Sequence, residues 1–363
     1  MKKVYLLITA ICLTALTGCI KEEPYTLEEA TIEVNLDTRS GTVSEQQGDR
    51  IEDVMIWVFK GENWGTLAGW RTYTPPTDAY TYTSLTLHIP VALCNGNSET
   101  YRLVAVLNKN RWGADLGLSS ETTYAQLTSM KFANPELIAK AIEEGKPGDP
   151  NTMPVSHWCD VVVKKEEHTH ANNNCAVANL DVFRSVAKTQ LFVTKASNDF
   201  NLVIKSATLK SSKAPTEGMV LSSVAADDLK TIDIAPDWFG TNAPATFNAD
   251  FSQSLKKVDG NPAAVTVAPN AEPFQNVFVG SAFLYENKGG SDTWNTASTN
   301  DGYCLAVEYS VDGGANFKTE NVWLPAVARN HDYQIRATIY GTAEIKFTVA
   351  VAPWVRIENN LEI

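Results

Sequence analysis

Apolar and polar residues alternate with a period of two along much of this chain, and the clearest case is Ala30-Thr-Ile-Glu-Val-Asn-Leu36. Ala30, Ile32, Val34 and Leu36 fall on one face, which predicts a half-buried strand. Ile51-Glu-Asp-Val-Met-Ile-Trp-Val-Phe59 is apolar on both faces, as a central strand covered on both sides should be. Further strand-like runs occupy 85–89, 103–107, 161–163, 189–193, 202–204, 264–267, 277–279, 305–309, 333–340 and 345–351. Turn-forming clusters such as Pro75-Pro76-Thr77-Asp78, Gly289-Gly290 and Asp312-Gly313-Gly314 separate them. Helix signals are few: 135–144, with Asn134 as N-cap, Pro135 at the first position and Gly145 past the end, and a second stretch over 121–130. The pattern predicts an all-β fold of antiparallel sandwiches with a short helical excursion in the first half.

The N-terminus follows a different pattern. Lys2 and Lys3 precede an apolar run over 4–16, which ends in Leu16-Thr17-Gly18-Cys19. A basic start, a short apolar segment and small residues before a cysteine make a secretory signal. The run is shorter than the roughly 20 apolar residues a bilayer span needs. The Leu-x-Gly-Cys spacing matches a bacterial lipobox, so cleavage between Gly18 and Cys19 and lipid attachment at the Cys19 sulfur are expected. The exported chain would then begin tethered to the outer membrane.

Composition narrows the function classes. Apolar residues make up 44% of the chain and charged ones 20%, enough to fill a core in each of two ordinary domains. The formal charge is −12, and loss of Lys2 and Lys3 with the signal makes it more negative, so nucleic acid is excluded as a partner. Export places Cys94, Cys159, Cys175 and Cys304 where disulfides are permitted. Cys159 and Cys175 lie symmetrically about Glu167, and 161–163 answered by 176–177 reads as a hairpin. A cross-strand disulfide fits that hairpin; two buried free thiols fit it as well.

Asp37 to Arg50 is polar, and Arg39 followed by Ser40 offers a trypsin-like protease an exposed basic site. Cutting there would detach the lipid together with the first strand. Ala-Thr-Ile-x-Val-x-Leu, then an arginine about a dozen residues before Ile-x-x-Val-x-Ile-x-Val-Phe, resembles the fimbrillins, the type V pilins of Bacteroidales. Met153-Pro154-Val155-Ser156, Arg184-Ser-Val-Ala187-Lys188, Arg329-Asn330-x-x-Tyr333 and Phe347-Thr-Val-Ala-Val-Ala-Pro-Trp354 extend the resemblance over most of the chain. It implies two tandem transthyretin-like β-sandwich domains, at 40–180 and 181–363, behind a signal at 1–18 and a removable segment at 19–39. It also implies an arginine-specific surface protease as a partner, with cleavage between Arg39 and Ser40. Loss of Ala30, Ile32, Val34 and Leu36 would open a groove that a related or identical subunit fills with its C-terminal strand. Val355, Ile357, Leu361 and Ile363 are the donor candidates here. The destination is a cell-surface fimbrium that supports adhesion to a host or bacterial target. The alternative is a monomeric surface lipoprotein that binds glycans or host protein, including a tip adhesin or an anchor.

Enzymatic readings find little support. Ser310-Val-Asp-Gly-Gly-Ala-Asn-Phe317 fits the Asp-box pattern of sialidases, but it occurs once, and between two strand-like runs it reads as a hairpin turn. His168-Thr-His170 beside Glu166 and Glu167 could ligate a metal, although its Asn-rich surroundings suit a solvated tip better. No Gly-x-Ser-x-Gly, His-Glu-x-x-His or phosphate-binding glycine loop is present. No catalytic residue, metal site or cofactor is therefore expected. Of the tryptophans, Trp57 and Trp323 read as core, and Trp64, Trp70, Trp112 and Trp294 read as residues that could stack on a glycan.

Overall fold

Two-faced apolarity at 54–59 requires cover on both sides, and the structure supplies it from a sheet on one face and a long loop on the other. The computed structural model describes residues 29–37, 51–74, 84–92, 97–139, 153–164, 174–197, 199–230, 247–248, 251–255, 265–266, 277–287 and 302–353. The first half contains β1 (Glu29–Asp37), β2 (Val54–Lys60), β3 (Thr66–Tyr73), β4 (Ser84–Ala92), β5 (Ser98–Leu107), β6 (Val155–Lys164) and β7 (Asn174–Asp181). They form one sheet of order β4-β1-β7 and another of order β3-β2-β5-β6, whose last edge is extended by Phe183–Arg184. Gly69 on β3 faces the first sheet so closely that a Cβ there would lie 2.6 Å from the Pro90 carbonyl oxygen and 2.8 Å from Val91. Only glycine permits that approach.

The second half repeats this plan. It contains β8 (Ala187–Lys195), β9 (Val203–Ser211), β10 (Phe251–Ser254), β11 (Val277–Leu284), β12 (Cys304–Ser310), β13 (Lys318–Trp323), β14 (His331–Ile339) and β15 (Ile345–Pro353). The sheet orders are β11-β8-β14-β15 and β10-β9-β12-β13. Each of β1 to β7 thus has a counterpart in β8 to β14, in the same order and with the same neighbours. In both halves the first strand runs antiparallel to the fourth and parallel to the seventh. Each sandwich therefore carries one parallel pair among otherwise antiparallel strands. β15 has no counterpart among the described strands of the first half.

Two buried apolar clusters follow this division. One runs from Ile32 to Val186 and takes in Val220, Leu221, Phe283 and Tyr285 from later in the chain. The other runs from Ala187 to Ile339. Strand positions follow the alternation closely, but the hairpin expected from 161–163 and 176–177 does not form. β6 pairs with β5, whereas β7 leaves for the other sheet and pairs with β1. The row Ala176, Ala178 and Leu180 is apolar on one face, and that face finds cover beside β1 in the core.

The helical excursion lies between β5 and β6. α1 (Tyr124–Ser129) starts at Thr123, whose side chain and that of Gln126 form a reciprocal capping box. α2 (Pro135–Ala139) starts as expected, with the Leu137 N–H donating to Asn134 Oδ1 at 3.0 Å. The Asp-box segment is a turn between β12 and β13. Asp312 accepts from Ser310 Oγ and from the Ala315 and Asn316 N–H groups, while Gly313 and Gly314 take φ of 76° and 100°. These hydrogen bonds, that from Ser310 foremost, hold the Asp312 carboxyl well below the usual range. Their acceptor capacity is spent on folding the turn.

The halves are locked together by polar groups. Fully buried Arg329 pairs with Glu286 Oε2 at 2.6 Å and donates to the carbonyls of Met219 (2.8 Å) and Val220 (3.3 Å). Val220 also accepts from Ser156 Oγ, Trp158 Nε1 donates to the Ser222 carbonyl, and Lys230 pairs with Asp181. Tyr285 lies edge-on to Phe132 and accepts the Asn134 N–H at 2.6 Å. Removing one partner of such a buried ion pair strands the other. Arg329→Ala is expected to cost about 3–5 kcal/mol in chemical denaturation, with near-native values for Lys210→Ala, an exposed residue on β9, as a control.

His157 sits in the same junction, fully buried against Trp158 and Phe183, with no partner for either ring nitrogen among the described residues. Burial, reinforced by Arg329, Lys230 and Arg102, pushes its pKa from 6.5 down to about 3. Above 6.5 the ring is neutral in folded and unfolded chains alike. As pH falls from 6.5 towards 3 only the unfolded chain takes the proton, so stability is lost at up to about 1.4 kcal/mol per pH unit. Urea melts of the wild type against His157→Phe between pH 7 and pH 4 should show the variant with the shallower decline.

Candidate functional site

The residues marked for removal, Ile32, Val34 and Leu36, are buried to 0%, 0% and 1% exposure. They project from β1, which occupies the middle of its sheet and is bonded on both sides. Its antiparallel register with β4 runs from Glu29–Ala92 to Asp37–Ser84, and Ala30 pairs with Val91. Its parallel register with β7 runs from Thr31–Asn174 to Asp37–Asp181, with an irregularity between Thr31 and Ile32. The Asp37 carbonyl also accepts the Val182 N–H at 2.9 Å, so β1 touches the segment that leads into the second half.

On either side of β1 the inward face continues. Leu87, Ile89 and Val91 of β4 form one wall, and Ala176, Ala178 and Leu180 of β7 form the other. Without β1 these rows would border a trough with an unpaired ladder along each side. The β7 wall is made of small residues near one end, so Ile32 and Val34 sit opposite Ala176 and Ala178. On the outer face a polar rung crosses all three strands: Thr86 Oγ1 donates to Asn35 Oδ1 at 2.9 Å, and Asn35 Nδ2 donates to Asn179 Oδ1 at 3.2 Å. Sequence reasoning identified the β1 row but not these flanking rows. The alternation Leu85, Leu87, Ile89, Val91 was a usable signal; the small-residue row was not.

Burying three aliphatic side chains is worth roughly 5–9 kcal/mol gross. That is comparable to the whole net stability of a domain, about 5–15 kcal/mol. A first half with an empty trough would therefore be close to unfolding, and something must occupy it.

Gly18, Cys19, Arg39, Ser40, Val355, Ile357, Leu361 and Ile363 lie outside the described residues, as do His168, His170 and Trp294. Phe347, Val349 and Val351 belong to β15, which closes the second half beside β14. Among the described residues Cys159 has no disulfide partner; it is half-buried on β6, and Cys175 lies on a strand of the other sheet. Burial, with Asp160 and Asp181 nearby, pushes the Cys159 thiol up to about 12. Trp112 is not a surface residue but fully buried, its Nε1 donating to the Leu107 carbonyl at 2.9 Å and its ring edge-on to Phe132. Trp57 is core, and one face of Trp64 is taken by the Arg102 guanidinium, which also lies on Trp158 and makes two bonds to Asp160.

With this geometry in hand, comparison with known proteins bears on the fold. A candidate cell adhesion protein from Parabacteroides distasonis superposes with a TM-score of 0.51 at 15% identity, over 92% of this chain and 100% of that one. The chain has that protein's fold. A fimbrial assembly protein from the same organism gives 0.47 at 12% identity over 89% and 98% of the two chains. The fimbrial anchor protein Mfa2 from Porphyromonas gingivalis gives 0.38 at 11% over 89% and 98%. No protein-family model and no curated protein sequence matches the chain.

Two outcomes test the site. Ile32→Ala and Val34→Ala should each destabilise the uncut chain by about 2–4 kcal/mol, while Val177→Ala, on an exposed position of β7, should change it by less than about 0.5 kcal/mol. Alkylation without reductant should label Cys159 only after unfolding; protection that persists in denaturant would show a disulfide instead.

Proposed function

We propose that this chain is a non-catalytic structural subunit of a cell-surface fimbria, exported as a lipoprotein and assembled by strand exchange. In this reading Cys19 carries the lipid that holds the precursor in the outer membrane. An arginine-specific protease cuts between Arg39 and Ser40, β1 departs, and a strand from a related or identical subunit enters between β4 and β7. The C-terminal segment with Val355, Ile357, Leu361 and Ile363 supplies that strand. The assembled fibre supports adhesion to a host or bacterial partner.

The observation that carries this reading is the central place of β1, since removal of an edge strand would leave no trough. Three further points support it. The chain leading out of β1 enters the polar stretch that contains Arg39. The gross burial in the trough is large enough to drive association once ordering costs are met. Strand addition also draws affinity from main-chain bonds on both sides, which a central position doubles relative to an edge.

Lipid-bearing precursor treated with an arginine-specific protease should yield a chain beginning at Ser40 and ladders that resist SDS. A precursor left uncut at Arg39, or cut and still monomeric, would overturn the proposal.

A further inference from the structure

The fimbrial reading does not use a cleft in the first half. It lies on the face of the β3-β2-β5-β6 sheet that points away from β1. Arg71 on β3 donates to the His88 carbonyl of β4 and so marks the inner face, while its neighbours Trp70 and Thr72 point the other way. The cleft encloses about 600 Å³, within the range of small-molecule sites, and is half open to solvent. Met55, Trp70 and Thr72 form its sheet side, and Lys109, Asn110 and Asp115 lie on its loop side.

Both sides are held firmly. Trp70 rests on the fully buried ring of Trp57 at 4.7 Å between centroids, and Trp57 Nε1 donates to the Ser119 carbonyl at 2.8 Å. The loop is anchored where it begins, with Asn108 bonded to the Glu52 N–H and the Met153 carbonyl, both at 2.8 Å, and the Lys109 N–H donating to Asp53 Oδ1. The Arg111 carbonyl accepts from Asn134 Nδ2 at 2.7 Å, and Trp112 is locked in the core. Against this fixed backbone the polar groups that face the cleft are largely uncommitted. The side chains of Lys109 and Asn110 make no hydrogen bond to a described residue, nor does the Trp70 indole N–H, although the Lys109 charge also acts on Asp53. Asp115 spends Oδ1 on the Gly117 N–H and keeps Oδ2.

A half-buried aromatic face beside an amide, a carboxylate and an ammonium is the arrangement that a sugar ring needs. Its axial C–H groups, slightly positive, lie on the negative face of the indole, and its hydroxyls both donate and accept around the rim. Lys109 and Asp115 cancel in charge, and the chain as a whole is acidic, so an uncharged pyranose suits the cleft better than an anionic one. We infer that this cleft binds an uncharged sugar residue of a glycan, with Trp70 as the stacking platform and Asn110, Asp115 and Lys109 as the hydrogen-bonding rim. Because the site faces away from the trough, it is formed in the uncut chain and does not depend on strand exchange.

The test uses that uncut chain, with ligand-observed saturation-transfer NMR on the methyl glycosides of glucose, galactose, mannose and N-acetylglucosamine. At least one should show transfer, with millimolar affinity. Asn110→Ala, which removes no side-chain hydrogen bond to a described residue, should weaken it several-fold, and Trp70→Ala by about tenfold. Trp64→Ala, outside the cleft, should leave it unchanged. Since Trp70→Ala also exposes Trp57, thermal melts accompany each variant, and the surface variant Asn110→Ala decides where Trp70→Ala melts early. Absence of transfer from every glycoside, or transfer unchanged in both Asn110→Ala and Trp70→Ala, would overturn the inference.

Discussion

A strand in the middle of a sheet has two sets of main-chain partners, and those groups have nowhere else to go once water is excluded. β1 meets that demand for β4 on one side and β7 on the other, while its side chains Ile32, Val34 and Leu36 fill the core behind them. The first sandwich rests on this double role. β4 and β7 are not bonded to each other, so without an intervening strand the three-stranded sheet has no continuity. The sheet that faces it would lose cover on β2, whose residues are buried almost throughout.

The second half shows the same plan with a different ending. β8 stands where β1 stands, between an antiparallel and a parallel neighbour, yet it is continuous with the core at both ends. β15 then extends the sheet beyond β14. β8 follows Phe183–Arg184, which extends the other sheet of the first half, whereas β1 is followed in sequence by the polar stretch that contains Arg39. The two sandwiches therefore share an architecture, and under the proposed strand exchange β1 rather than β8 is the strand that leaves. Ser156 to Val220, Trp158 to Ser222 and Lys230 to Asp181 join the first half to residues of the second.

The sequence made some of this plain and hid the rest for physical reasons. β1 and β2 were readable because period-two alternation and two-faced apolarity are local signals. β3 was missed because it lies where its residues are mostly exposed or half-exposed, so burial imposes no pattern on Thr66–Tyr73. The hairpin of β6 and β7 was misread because proximity in sequence favoured it, while the true partner of Asn179 is Asn35, far away along the chain. Trp112 looked like a loop residue, and it is one, but the turn at Asn108 folds the loop back so that its ring enters the core. The repeat of seven strands left no trace in residue identities, because topology constrains where apolar residues fall and not which ones they are. Around β1, the central row and the alternation of β4 were legible, whereas the small-residue row of Ala176 and Ala178 was not.

The outer rung of Thr86, Asn35 and Asn179 bears on how such a chain survives before it reaches its destination. An exposed ladder edge invites any passing strand, and a trough with two edges and an oily floor is a strong invitation to aggregate. While β1 is seated, amide side chains knit the outside of the sheet and leave no sticky seam. Under the proposed strand exchange, the segment would act as a built-in stopper on that surface until it is cut away.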